Sequence, residues 1–244
     1  MKTCGRELHG VYDFGAVGNA IVTSLYTVFT LGTDVGEYEF CKYIDTLHPA
    51  PASSVTNGRY LSEDKSFELA IPEQLKQDSQ NPSGIWQAEN YPDMAMFPSA
   101  ETEGRVFFAG VYPKLTDRDV SLSPRSFEPT IFHGNGAQYL DARGVNLQRL
   151  YEEDITIKGE PAVFVVYQED SQTTTATKPA VAATSSAPIF LLYWVIKTSA
   201  HAARLTVVWP GDCPKCSTGP ETEIRKMSPS ITTFIDSFRF TGIH

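Results

Sequence analysis

The sequence predicts an α+β domain with an antiparallel sheet at its centre, and three observations predict it. First, the runs Ile155 to Tyr167, Ile189 to Lys197 and Arg204 to Trp209 are rich in β-branched and aromatic residues, the residue types that fit a pleated, half-buried surface. Second, no helical pattern separates these runs, and consecutive strands without a crossover helix pair antiparallel. Third, the chain closes on an amphipathic helix. Ser228 stands as N-cap and Pro229 at the first helical position, Ile231, Phe234, Ile235 and Phe238 follow at helical spacing, and Gly242 is a stop.

The remaining elements follow in chain order. Gly10 to Ile44 is aromatic and punctuated by glycine, and its Tyr12, Phe14, Leu25, Tyr26, Val28, Phe29 and Leu31 are too apolar for a solvated tail, so the segment is expected to be ordered and buried against something. Leu47 to Asn57, with its prolines, alanines and serines, has linker composition. Arg59 to Glu73 reads as a strand pair in which Phe67, Leu69 and Ile71 share one face before Pro72 ends the run. Ile85 to Gln87, Met94 to Phe97 and Arg105 to Tyr112 are short strands. Between Ala137 and Glu153 the spacing of Leu140, Leu147, Leu150 and Tyr151 predicts a helix, against the cost of Gly144, about 1 kcal/mol relative to alanine. Glu169 to Pro188, threonine- and alanine-rich, cannot fill a core and predicts a long loop at a hairpin tip.

Composition bounds the function classes. The chain has 244 residues, 41% hydrophobic and 20% charged, ample for one core. A formal charge of −9 repels phosphate backbones, and no Lys/Arg run reverses it locally, so nucleic acid is not an expected partner. Phe14 to Thr33 is uncharged, but Asn19, Thr23, Ser24, Thr27 and Thr30 make it too polar for a transmembrane helix. Met1, Lys2 and Thr3 run straight into Cys4 without the apolar stretch of a secretory signal, which leaves a cytosolic protein or a chain whose signal has been removed. The cysteines fall into two couples, Cys4 with Cys41 and Cys213 with Cys216. Two local disulfides are the simplest pairing, and an even count leans toward an oxidising compartment. A lipid anchor on Cys4 is the alternative, and it would cost Cys41 its partner.

The order of features resembles the PsbP/Mog1-like family, which includes DcrB-type bacterial proteins. The resemblance rests on an early strand running into proline (Ser66 to Pro72) and on a strand with a Gly-x-Pro-Ala step (Gly159, Pro161, Ala162) leading into Val163 to Tyr167. Two further strands and a last helix ending Ile235-Asp236-Ser237-Phe238-Arg239-Phe240 complete it. It implies an α/β/α sandwich over residues 58–244, preceded by an appendage at 1–48 packed on the main domain and a linker at 49–57. It further implies a non-catalytic binding, assembly or chaperone module.

The motifs that could carry chemistry are sparse. Cys213-Pro214-Lys215-Cys216 has the spacing of a redox dithiol or half a zinc knuckle. The second Cys-x-x-Cys of a zinc ribbon is missing, so a local structural disulfide is favoured. The histidines His9, His48, His133, His201 and His244 form no metal-binding spacing. His133 stands before Gly134-Asn135-Gly136, where a turn explains the glycines as well as a catalytic base does. The sequence has no nucleophile elbow, phosphate loop or dinucleotide fingerprint, so no cofactor or metal is expected. Glu152, Glu153 and Asp154, and Asp117 and Asp119 around Arg118, are expected to be solvated caps. The expected function is a non-enzymatic binding or assembly protein of the bacterial cell envelope or periplasm that holds a protein partner, with cytoplasmic placement as the alternative location. The alternative function is a small hydrolase or thiol-redox enzyme centred on His133 or on Cys213 and Cys216.

Overall fold

A computed structural model of the chain describes residues 47–75, 77, 81–88, 91–100, 105–112, 115–131, 139–140, 146–169 and 188–241. In chain order the strands are β1 (Leu47–Pro49), β2 (Val55–Thr56), β3 (Arg59–Leu61), β4 (Phe67–Ala70), β5 (Trp86–Ala88), β6 (Tyr91–Pro98) and β7 (Val106–Tyr112). Helices α1 (Asp117–Ser121) and α2 (Pro124–Phe127) follow, then β8 (Tyr139–Leu140), β9 (Asn146–Ile157), β10 (Glu160–Glu169), β11 (Ile189–Lys197) and β12 (Ala202–Pro210). Helices α3 (Glu221–Met227) and α4 (Pro229–Ser237) and strand β13 (Arg239–Phe240) close the described chain. Among the described residues, β1-β5-β6-β7-β12-β11-β10-β9-β8 form one sheet and β13-β4-β3-β2 a second, and every pairing is antiparallel.

The central strands read as predominantly apolar runs because both of their faces are covered. Every residue of β11 after Ile189 is buried, as are Ala202 to Val208 of β12. On the first face Phe107, Trp194 and Phe164 meet α3, α4 and the small sheet. Phe234 of α4 stands edge-on to Phe107 at 5.2 Å and to Phe97 at 6.2 Å, and Tyr60 of β3 stands edge-on to Phe97 at 5.4 Å. On the second face Val163, Val165, Leu191, Tyr193 and Val195 lie beneath the segment that carries α1 and α2. Flanking helices on both faces of an antiparallel sheet make the α+β layering expected from the sequence.

Several expectations are corrected. Ile155 to Tyr167 is two strands, since Lys158 (φ 53°) and Gly159 (φ 87°) form a two-residue turn and Ile157 pairs with Glu160. Positive φ at both central residues matches the right-handed twist of a hairpin. The helix expected between Ala137 and Glu153 does not form: Leu147, Leu150 and Tyr151 belong to β9, a 12-residue strand, where tertiary pairing overrides the helical spacing. The linker expected at 49–57 is structured. Pro49 ends β1, which pairs with β5, and Val55 and Thr56 pair with β3. Proline is tolerated in β1 because that strand ends the described sheet order, with β5 on one side. Ser228 precedes α4 but makes no capping bond; its Oγ instead accepts from Arg105 Nη1 at 3.1 Å. Helices α1, α2 and α3 were not anticipated, although Thr116 and Asp119 form a capping box at α1 and Ser123-Pro124 opens α2. The segment 10–44, the loop 170–187, Gly242 and the Cys4 and Cys41 couple lie outside the described residues.

Two glycines give a test of this backbone. Gly159 has open space around it and only its positive φ to lose, whereas a Cβ on Gly219 would sit 2.9 Å from the Lys215 carbonyl oxygen. Gly159→Ala is expected to cost about 1 kcal/mol in urea denaturation, and Gly219→Ala more, because backbone must shift. The truncation Phe234→Ala is expected to cost about 3–5 kcal/mol.

Candidate functional site

A network of ionisable side chains, with a carboxyl buried at its centre, lies on the second face of the large sheet. A register slip in β9 creates it. Val166 pairs with Tyr151, but Tyr167 pairs with Arg149, so Leu150 is skipped. The bulge places an arginine, and not Leu150, beside Tyr167. Leu150 and Tyr151 pack instead against the first-face core.

The other half of the site comes from α2. Ser123 caps this helix by accepting from Ser126 N–H at 3.2 Å, and Pro124 takes its first position. That fixes Phe127 inward, edge-on to Tyr112 at 5.9 Å. The next residue, Glu128, is driven completely into the interior at 0% exposure. Its Oε1 accepts from the Tyr167 hydroxyl at 2.9 Å, and its Oε2 accepts from Arg149 Nη2 at 2.5 Å. Arg149 also reaches Glu152 at 2.5 Å, and Arg125 of α2 bridges Glu152 at 2.8 Å and Asp154 at 2.9 Å. Arg204 of β12 is buried, with its guanidinium carbon 5.6 Å from the centre of the Tyr193 ring, which in turn lies 5.6 Å from Tyr167.

Burial pushes the Glu128 carboxyl up to about 7, against the pull of Arg149, the Tyr167 hydrogen bond and Arg204, with Glu152 adding to the rise. It is therefore a carboxyl able to exchange a proton near neutral pH. Its described partners, Tyr167 and Arg149, are hydrogen-bond donors.

The residues singled out from sequence are dispersed. Cys213 and Cys216 are joined by a disulfide in the loop after β12 and buried in the first-face core, at 5% and 0% exposure. His133 and Cys4 and Cys41 fall outside the described residues. His48 lies in β1 and His201 in the β11–β12 turn, where its ring is 6.0 Å from Phe240. The three consecutive carboxylates part company, as strand alternation requires. Glu152 joins the second-face network, whereas Glu153 accepts from the Glu221 N–H at the start of α3 at 2.8 Å. Asp154 remains exposed on Arg125. The first two are thus bonded into the fold and are not solvated caps; Asp119 does cap α1. No sequence motif marks Glu128, Arg149, Tyr167 or Arg204 as functional. One signal was readable: Arg204 interrupts an otherwise apolar strand at an inward position, where a cation is rare unless paired.

No family model matches this chain, and no curated protein matches it. Among solved structures it is similar to a crystal structure from Bacteroides thetaiotaomicron VPI-5482, with 10% identity over 77% of this chain and 50% of that one and a TM-score of 0.41. It is also similar to the solution structure of cyanobacterial PsbP (CyanoP) from Synechocystis sp. PCC 6803, with 12% identity over 78% of this chain and 98% of that one and a TM-score of 0.40. This chain spans half the length of the Bacteroides chain.

Removing the cation from the pair tests the electrostatics. Arg149→Met leaves Glu128 buried beside Tyr167 without its ion partner, which raises the carboxyl further. The expected loss is larger at pH 8, where the site must either hold an unpaired carboxylate or take up a proton against the solution pH, than at pH 5, where the buried carboxyl is already protonated. Urea denaturation at the two pH values measures both.

Proposed function

We propose that this chain is a non-catalytic binding or assembly protein of the bacterial cell envelope, and that it holds a protein partner. The observation that carries this reading is how the reactive side chains are used. Glu128, Arg149, Glu152 and Arg125 are bonded to one another and fasten α2 to β9 and β10. On the other face Glu221 accepts from Trp194 Nε1 at 2.7 Å and from Arg225, tying α3 to the sheet. An enzyme needs a base within reach of a nucleophile and open to substrate; here the strongest candidate base is bonded to a tyrosine and an arginine in the interior.

The buried disulfide between Cys213 and Cys216 supports an oxidising compartment such as a periplasm, where such bonds persist. Among the described residues no helix is long and apolar enough to cross a membrane, and a lipid at Cys4 or the partner is the proposed means of attachment to the envelope. The net charge of −9 supports a protein partner over nucleic acid. The appendage at 1–48, rich in aromatic residues, is proposed to contribute to that contact or to pack on the main domain.

In-cell cross-linking with mass spectrometry tests the proposal, with Cys213→Ser/Cys216→Ser and His133→Ala variants beside the wild type. One envelope protein cross-linked by all three forms is the expected result, together with no catalysis of insulin reduction and no esterase turnover by the purified protein. Reductase or hydrolase turnover that these variants abolish would overturn it in favour of an enzyme.

A further inference from the structure

Residues 115–131 form the described cover of the second face, with Phe127 as a buried apolar anchor and Leu115 and Leu122 half-buried. Lys197 of β11 donates to the Val120 carbonyl at 3.0 Å, and Arg125 grips Glu152 and Asp154 from an exposed position. Glu128 is the fully buried ionisable group of this segment.

The described groups facing Glu128 are Tyr167 from β10, Arg149 and Glu152 from β9, and Arg204 from β12; Arg125 joins them through Glu152, and Tyr193 of β11 stands behind Tyr167 and Arg204. Ionised, Glu128 accepts on both oxygens. Protonated, it must present a hydrogen to one neighbour. Arg149 has no acceptor, but the Tyr167 hydroxyl can turn and accept it. Both protonation states therefore fit the same seat, one by a charged pair in the interior and the other by a neutral hydrogen bond.

We infer that Glu128 is a proton-operated latch, which holds residues 115–131 against the sheet while it is protonated and loosens that hold when it has to be ionised in place. The sign follows from linkage. The carboxyl ionises near 4.5 when the segment is detached and in water, and near 7 when it is seated. The seated form thus binds the proton more tightly, so the hold is complete below pH 4.5, weakens as pH rises to about 7, and is level above.

Hydrogen exchange read at single amides tests this. The N–H groups of Val120, Leu122 and Phe127 are bonded within the segment, to Thr116, Asp119 and Ser123, whereas those of Tyr193 and Val195 belong to β11. After correction for intrinsic rates, protection at the first three is expected to fall roughly fiftyfold between pH 5 and pH 8, with β11 amides unmoved. In Glu128→Gln, which keeps a neutral hydrogen-bonding side chain, protection is expected to persist without that fall. A carbon-13 titration of the Glu128 carboxyl should have its midpoint near 7. The same fall in Glu128→Gln, no fall in the wild type, an equal fall in β11, or a carboxyl midpoint below 5 would each overturn the latch.

Discussion

Everything in this fold depends on covering a sheet whose central strands are apolar on both faces. An antiparallel sheet commonly leaves one face to water, and its strands then alternate apolar and polar residues. Strands β10, β11 and β12 do not alternate, so a single cover would leave half of their side chains exposed. The chain answers with two unequal covers. On the first face the four-stranded sheet and helices α3 and α4 supply a broad aromatic contact through Tyr60, Phe67 and Phe234. On the second face the described cover is one short segment with α1 and α2, which have 5 and 4 residues.

That inequality explains where the charges are. Helices so short have little intrinsic stability and exist by virtue of what they dock on. Phe127 provides an apolar anchor, and the ion pairs of Arg125, Arg149, Glu152 and Glu128 provide direction. Buried pairs of this kind contribute little net stability, because desolvation cancels most of the attraction, but breaking one partner is costly. The network therefore fixes one seating of the segment more than it strengthens the fold. Since Glu128 lies deep enough to ionise near neutral pH, the same seating becomes sensitive to protons, a property that an all-apolar contact would lack.

The first face uses polar groups differently. Trp194 and Arg225 converge on Glu221, and Arg105 stacks over Trp209 at 4.2 Å while donating to Ser228. These contacts orient α3 and α4 at their ends, and the disulfide between Cys213 and Cys216 closes the loop that delivers the chain from β12 to α3. Such a loop has few apolar residues of its own to hold it, so a covalent closure, which acts chiefly by restricting the unfolded chain, suits the position.

The sequence by itself determined β11, β12 and helix α4, and the strand character of Ile155 to Tyr167 though not its turn at Lys158 and Gly159, because their signals are local: β-branched and aromatic runs, a proline at a first helical turn, apolar residues at helical spacing. Only the tertiary structure decided that Leu147 to Tyr151 is strand, that the bulge sets Arg149 beside Tyr167, and that Glu128 lies buried between them. The partners of those residues are remote in the chain, 39 positions apart for Glu128 and Tyr167 and 123 for Arg105 and Ser228. Register and burial are properties of two segments at once, so no periodicity within either one could carry them. The pKa of a carboxyl, likewise, belongs to its surroundings and not to its place in the sequence.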